Sequence, residues 1–269
     1  MINYLRILKK ILMPPKDYLI NSPVATKEEY VELHNSCKSD EFKEIDTLEK
    51  KLGFAIDKIF FEKLALHTQV CKKKSKLNYQ HGRILYSYLR NFIKINYKKQ
   101  NIKTINIFET GTARGFSAIC MSKAIQDSEV NGNIITIDIL PHNKKIYWNC
   151  IDDIEGKKTR QELLMPWSEQ LNCITFFQGE TYQLLNKIGK SRIHFAFLDA
   201  QHKYDEVKAE FEFVSLRQKK GDLVIFDDVT ELLFPGVVRA VKEIEKSKNY
   251  KIEYIETSDH RGYAVAIRS

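Results

Sequence analysis

The sequence predicts an α/β protein built on a doubly wound, mostly parallel seven-stranded sheet that ends in an antiparallel hairpin, preceded by a helical N-terminal region. Three observations predict it. From residue 104 onward, apolar runs of strand length alternate with stretches of helical period. Those runs are hydrophobic along almost their whole length, as strands covered on both faces are. Residues 25–100 instead carry apolar residues at spacings of three and four, the period of a helix with one buried side.

Each element follows in order. Ile2, Leu5, Leu8, Ile11 and Leu12 share one helical face, and Pro14 and Pro15 stop that helix. Such a face suits packing on its own domain, with a partner subunit or an anionic membrane surface as alternatives. "EEYVELH" and "HGRILYSYLRNFIKI" continue the helical pattern. The strands are then "TINIFE" (104–109), "NIITID" (133–138), "ITFFQG" (174–179), "IHFAFLD" (193–199) and "DLVIFDD" (222–228). The helical "PGVVRAVKEIEKS" follows, and "KIEYIET" (251–257) and "GYAVAIR" (262–268) are close enough in sequence to pair antiparallel. Residues 140–171 are more than one crossover helix needs, which predicts an extra helix or a cover over the site, with Tyr147, Trp148 and Trp167 as wall or core residues.

Composition narrows the function. The chain has 269 residues, 43% of them hydrophobic, enough for a packed core. The formal net charge is +8, but residues 1–103 hold 21 Lys and Arg against 11 Asp and Glu, so the basic excess belongs to the N-terminal region. Without zinc-finger spacing or an RNA-binding aromatic motif, that excess reads as a solvated helical face, and no nucleic-acid partner is expected. Five scattered cysteines without a CxxC pair fit reduced thiols and a cytoplasmic protein. No run of about 18 apolar residues predicts a membrane span, and Arg6, Lys9 and Lys10 interrupt what would be a signal-peptide core.

In sheets of this kind ligands sit beyond the C-terminal strand ends. The first strand runs into "FETGTARGFSA", which supplies Glu109, Gly111, Gly115 and Ser117. Glycines there let the backbone turn tightly and approach a ligand, next to the free N–H groups of a helix start. The loop reads G-x-x-x-G after a carboxylate, not the G-x-G-x-x-G of a pyrophosphate site, and so favours a cationic group over a phosphate. The second strand ends at Asp138, an acceptor for both hydroxyls of a ribose. Together they indicate a nucleoside ligand without phosphates.

"FETGTARGFSA", "ITID", "FFQGETYQLL", "FAFLDAQHKYDEV" and "GDLVIFDDV", in that order and each at a strand end, resemble the class I S-adenosylmethionine (SAM)-dependent methyltransferases, which have a Rossmann-like sheet. Within them the chain is similar to the metal-dependent O-methyltransferases of the catechol and macrolide-sugar types. The resemblance spans residues 79–268 and divides the chain into a helical region, 1–78, and a SAM-binding domain, 79–269. It implies that Glu109, Gly111 and Gly115 hold the methionine part and that Ser117 binds its carboxylate. It further implies that Asp138 binds the ribose and that Gly179, Glu180 and Thr181 lie beside the adenine. His81, in "NYQHGRILYSYLR", then either lines the site or is a capping or structural residue.

Asp199 ends one strand and Asp227 and Asp228 end the next, so three carboxylates converge. Unscreened, they repel and one pKa rises. Oxygen ligands of this kind suit Mg²⁺ or another divalent cation, which lowers the pKa of a bound hydroxyl. The adjacent Asp-Asp pair resembles the sugar type. His202 stands where the catechol type has a basic lysine, and is read as the general base or a residue orienting the metal site. The expected function is therefore SAM-dependent O-methylation of a sugar, glycan or other small-molecule hydroxyl, in a possible homo-oligomer. A nicotinamide-dependent oxidoreductase, disfavoured by the missing middle glycine, and a cofactor-binding partner subunit without turnover are the alternatives.

Overall fold

A computed structural model of the chain describes residues 20–189 and 192–269. The amphipathic helix expected over residues 2–12 lies outside the described residues.

Four helices come first: α1 (Lys27–Lys38), α2 (Lys43–Leu52), α3 (Lys58–Thr68) and α4 (His81–Asn96). Thr26 begins α1 with a capping box, its hydroxyl accepting from the Glu29 N–H while the Glu29 carboxylate accepts from the Thr26 N–H. Asp57 caps α3 by accepting from the Phe60 N–H at 2.8 Å. Gly53 closes α2 in the left-handed conformation.

The sheet contains β1 (Ile105–Thr110), β2 (Gly132–Asp138), β3 (Ile174–Gln178), β4 (Phe195–Leu198), β5 (Leu223–Phe226), β6 (Tyr250–Glu256) and β7 (Gly262–Arg268). Between them lie α5 (Phe116–Asp127), α6 (Arg160–Leu164), α7 (Ser168–Leu171), α8 (Thr181–Leu185), α9 (Tyr204–Ser215) and α10 (Pro235–Lys246). The spatial order is β3-β2-β1-β4-β5-β7-β6. The first five strands are parallel, and β7 pairs antiparallel with both β5 and β6. This is the doubly wound, mostly parallel sheet with an antiparallel end that the alternating runs predict.

Alternate residues of each strand feed two cores, one on each face. Ile107, Phe195, Phe197, Leu223, Ile225 and Val265 pack with α2 to α5. Phe108, Ala196, Leu198, Val224, Phe226 and Ala264 pack with α9 and α10. The helical region shares the first core, since Ile45, Leu48, Phe61 and Leu64 belong to the same cluster as the sheet residues. Residues 140–171 form short helical turns rather than one long helix, and they are seated: Leu164 and Trp167 are buried in the first core, and Trp148 and Leu163 in a small one of their own.

Register places the site. Thr110 lies level with Leu198, and Leu198 with Phe226. The next residues along, Gly111, Asp199 and Asp227, therefore leave three adjacent strands side by side. Strands β2 and β3 run outward from one side of β1 and β4 and β5 from the other, so the β1/β4 crevice is the topological switch point.

Candidate active site

Gly111 takes a φ of +88°, and a Cβ there would run into the carbonyl oxygen of Asp199, so only glycine fits the turn. Its N–H donates to the Ile137 carbonyl at 2.9 Å, fastening the loop to β2. Gly115 begins α5, and Leu164 of α6 packs where its side chain would be. The extra segment is thus a wall of the glycine loop.

Glu109 has no exposed surface, and burial lifts its pKa to about 7 against the hydrogen bond it accepts from Thr136. The Ser117 hydroxyl is close enough to draw that pKa down, yet no well-formed hydrogen bond reaches the second carboxyl oxygen, Oε1. A buried, unpartnered carboxyl oxygen at a strand end leaves one acceptor for a donor from a ligand.

Asp138 also acts on the loop. Its Oδ2 accepts from the Ala113 N–H at 2.7 Å and its Oδ1 from the Leu140 N–H at 2.6 Å. Arg160, fully buried, stands 3.9 Å from Asp138 and donates to the Ala113 carbonyl at 2.9 Å. Burial lowers the Arg160 pKa against the charges of Asp138 and Glu109, which favour its ionised form. A cleft of about 270 Å³ opens here, lined by Gly111, Asp138, Glu180, Thr181 and Asp199 among others. Five residues from four different strand ends thus face one space. A neighbouring cavity shares Ala113 and Leu140 with it and is lined by Tyr147 and Trp148. A larger cavity of about 490 Å³ in the helical region shares no residue with either.

The acidic ends divide in two. Asp227 is buried and its Oδ1 and Oδ2 accept from Arg261 Nε and Nη2 at 3.2 and 2.8 Å, a two-pronged pair. Burial, the largest single influence, pushes its pKa up, but the charges of Arg261 and His81 and the hydrogen bonds from Arg261 and the Asp228 N–H together hold the carboxyl below its ordinary value. Asp228 takes a φ of +57°, and its Oδ2 lies 2.8 Å from His202 Nε2. Donor atoms of Asp199, His202 and Asp228 all lie within 4.8 Å of one another. Burial, then the charges of Asp227 and Asp228, raise the Asp199 pKa well above the ordinary value. Two of the three expected carboxylates therefore meet, with His202 in place of Asp227.

His81 neither caps its helix nor touches the cleft. Its ring stacks on Phe197 at 5.9 Å and meets Phe116 edge-on at 5.0 Å, and burial lowers its pKa to about 4. Arg261 is not legible in the sequence, because a cation in "DHRGY" between two strands looks solvated, and neither is Arg160, although Thr159 and Glu162 mark a capping box around it.

Residues 108–229 match the family model described as "Methyltransferase domain". No curated protein matches the chain. Among solved structures, the O-methyltransferase TomG from Streptomyces achromogenes, in complex with SAM, aligns at a TM-score of 0.54 and 15% identity, covering 80% of this chain and 92% of TomG. Cofactor-bound Rv0187 from MTB aligns at 0.57 and 14%, over 79% of this chain and 90% of its own. The O-methyltransferase from Bacillus cereus, in complex with SAH, aligns at 0.50 and 14%, over 91% and 100%. At these identities the likeness is one of fold. Residues 108–229 thus match a methyltransferase domain model, on a sheet whose fold is that of these solved structures.

Proposed function

We propose that this protein is a SAM-dependent O-methyltransferase that uses a divalent cation. One observation carries the reading: Asp199 lines the cleft beside Gly111 and Asp138 and also belongs to the donor cluster with His202 and Asp228. A methyl donor and an acceptor held by a cation would therefore meet across one side chain.

The residues fit the two groups. Glu109 offers an unpartnered buried oxygen to an ammonium, and Ser117 lies next to it at the start of α5. Asp138, with Glu180 and Thr181 across the cleft, suits a ribose and its base. The donor cluster suits a divalent cation, which when bound lowers the pKa of an acceptor hydroxyl. Positioning of the two reactants, worth about 7–11 kcal/mol, is the chain's larger contribution. The acceptor class is a sugar, glycan or other small-molecule hydroxyl, on the strength of the adjacent Asp227 and Asp228.

The test is transfer of labelled methyl from SAM to a panel of hydroxyl acceptors, with and without a chelator. Asp228→Ala is expected to abolish transfer while leaving binding of S-adenosylhomocysteine nearly intact. Turnover at the wild-type rate in that variant would remove the cation from the mechanism.

A further inference from the structure

We infer that the cation site of this chain is a mixed set, Asp199, His202 and Asp228, which selects a borderline ion such as Mn²⁺ or Co²⁺ over Mg²⁺. The inference rests on the proposed function for the ion's use, and on the side chains alone for its ligands.

Asp227 is withdrawn from the donor set. Its Oδ2 accepts from Arg261, and its Oδ1 accepts from both Arg261 and the Asp228 N–H, at 2.7 Å in the second case. A dication at Asp227 would displace a guanidinium already paired two-pronged in a buried position, and would meet its charge. Arg261 holds both oxygens of Asp227 but reaches only Oδ1 of Asp228, at 3.3 Å, so Asp228 Oδ2 is left to face His202. What remains is Asp199 and Asp228, two negative charges that a divalent ion neutralises, and the imidazole of His202.

His202 is held as a ligand is held. Its ring stacks on Phe234 with centroids 4.3 Å apart, and Nε2 faces Asp228 at 2.8 Å. A Cβ at Gly236, on the first turn of α10, would run into the His202 carbonyl, so the backbone of α10 sits directly on this loop. The three donors lie within 4.8 Å of one another, against about 4.2 Å for ligands across an ion at about 2.1 Å. Imidazole suits the later divalent metals, whereas Mg²⁺ favours oxygen alone. Nε2 bonded to an ion is no longer a proton acceptor, so His202 is a ligand and not the base.

The full-length protein is titrated with MnCl₂ and, separately, MgCl₂ by calorimetry. Bound Mn²⁺ is then examined for electron spin-echo modulation by ¹⁴N, and the same sample is titrated with S-adenosylhomocysteine. The expected result is Mn²⁺ binding tighter than Mg²⁺, with ¹⁴N modulation. His202→Gln should lose the modulation and weaken Mn²⁺ by more than the roughly 10–100-fold typical of an outer-shell change. Equal affinities, no Mn²⁺ binding, no modulation in the wild type, or modulation that survives His202→Gln would each overturn the inference. S-adenosylhomocysteine binding without ¹⁴N modulation would overturn the ligand set alone. Modulation without S-adenosylhomocysteine binding would uphold the ligand set and remove the methyltransferase reading.

Discussion

At Glu109 a carboxyl group reaches the end of β1 with no exposed surface and a pKa lifted to about 7 by burial. The folded chain prefers its neutral form. Its contribution to stability is therefore complete below the ordinary carboxylate range and is lost as pH rises through about 7. A bound ammonium reverses that preference by favouring the carboxylate. Affinity for S-adenosylhomocysteine should then rise roughly tenfold between about pH 6 and about pH 7.5 as Glu109 ionises. In Glu109→Gln the affinity should be lower and flat across that range, and a flat wild-type profile would take Glu109 out of the ammonium site. Residue type and position made Glu109, Gly111 and Asp138 legible as candidate ligand residues, because each lies at the end of a strand whose apolar run is plain in the sequence. The partners that set their chemistry were not legible: Thr136 lies 27 residues from Glu109, and only the parallel pairing of β1 with β2 brings them together.

Among elements, the β6–β7 turn matters most. It was predicted only as the link in a hairpin, yet it delivers Arg261 to the ends of β4 and β5, because β7 inserts between β5 and β6. Removing one partner of a buried pair leaves the other charge unpaired, so Arg261→Met should cost roughly 3–5 kcal/mol in urea denaturation. The double variant Arg261→Met/Asp227→Asn should recover part of it; an additive loss would mean the two side chains do not act as a pair. A second inter-element contact joins α9 to β1, where Thr110 donates to Glu210 at 2.8 Å and burial lifts the Glu210 pKa to about 8. The folded pKa is above the unfolded one, so this stabilising contribution is present in acid and lost as pH rises through about 8. The melting temperature of Glu210→Gln relative to wild type should therefore climb from pH 5 to pH 9, by roughly 2–4 °C for each kcal/mol gained. An unchanged difference would place the ionisation elsewhere. Residues 140–171 escaped a detailed reading because their short turns carry no sustained period; their role came into view only with Leu164 against Gly115 and Arg160 on Ala113.

Across the whole molecule, the two faces of the sheet do different work. One is covered by α4 and α5 and, through them, by α2 and α3, which join the N-terminal helices to the domain in a single core. The other carries α9 and α10, whose first turn seats the His202 loop. Among the described residues no helix is long and apolar enough to cross a membrane. The inner strands β1, β4 and β5 were readable because parallel strands buried on both faces are apolar throughout. The fold itself decides little about chemistry, since dinucleotide-binding sheets share it and also place an acid where Asp138 stands; the G-x-x-x-G loop after Glu109 separates the two readings. The most direct measurement is therefore a calorimetric titration of the full-length protein with S-adenosylhomocysteine, and in parallel with a nicotinamide dinucleotide. Saturable binding of the first at one site per chain, with none of the second, is the predicted result. Binding of the dinucleotide, or of neither ligand, would contradict the account.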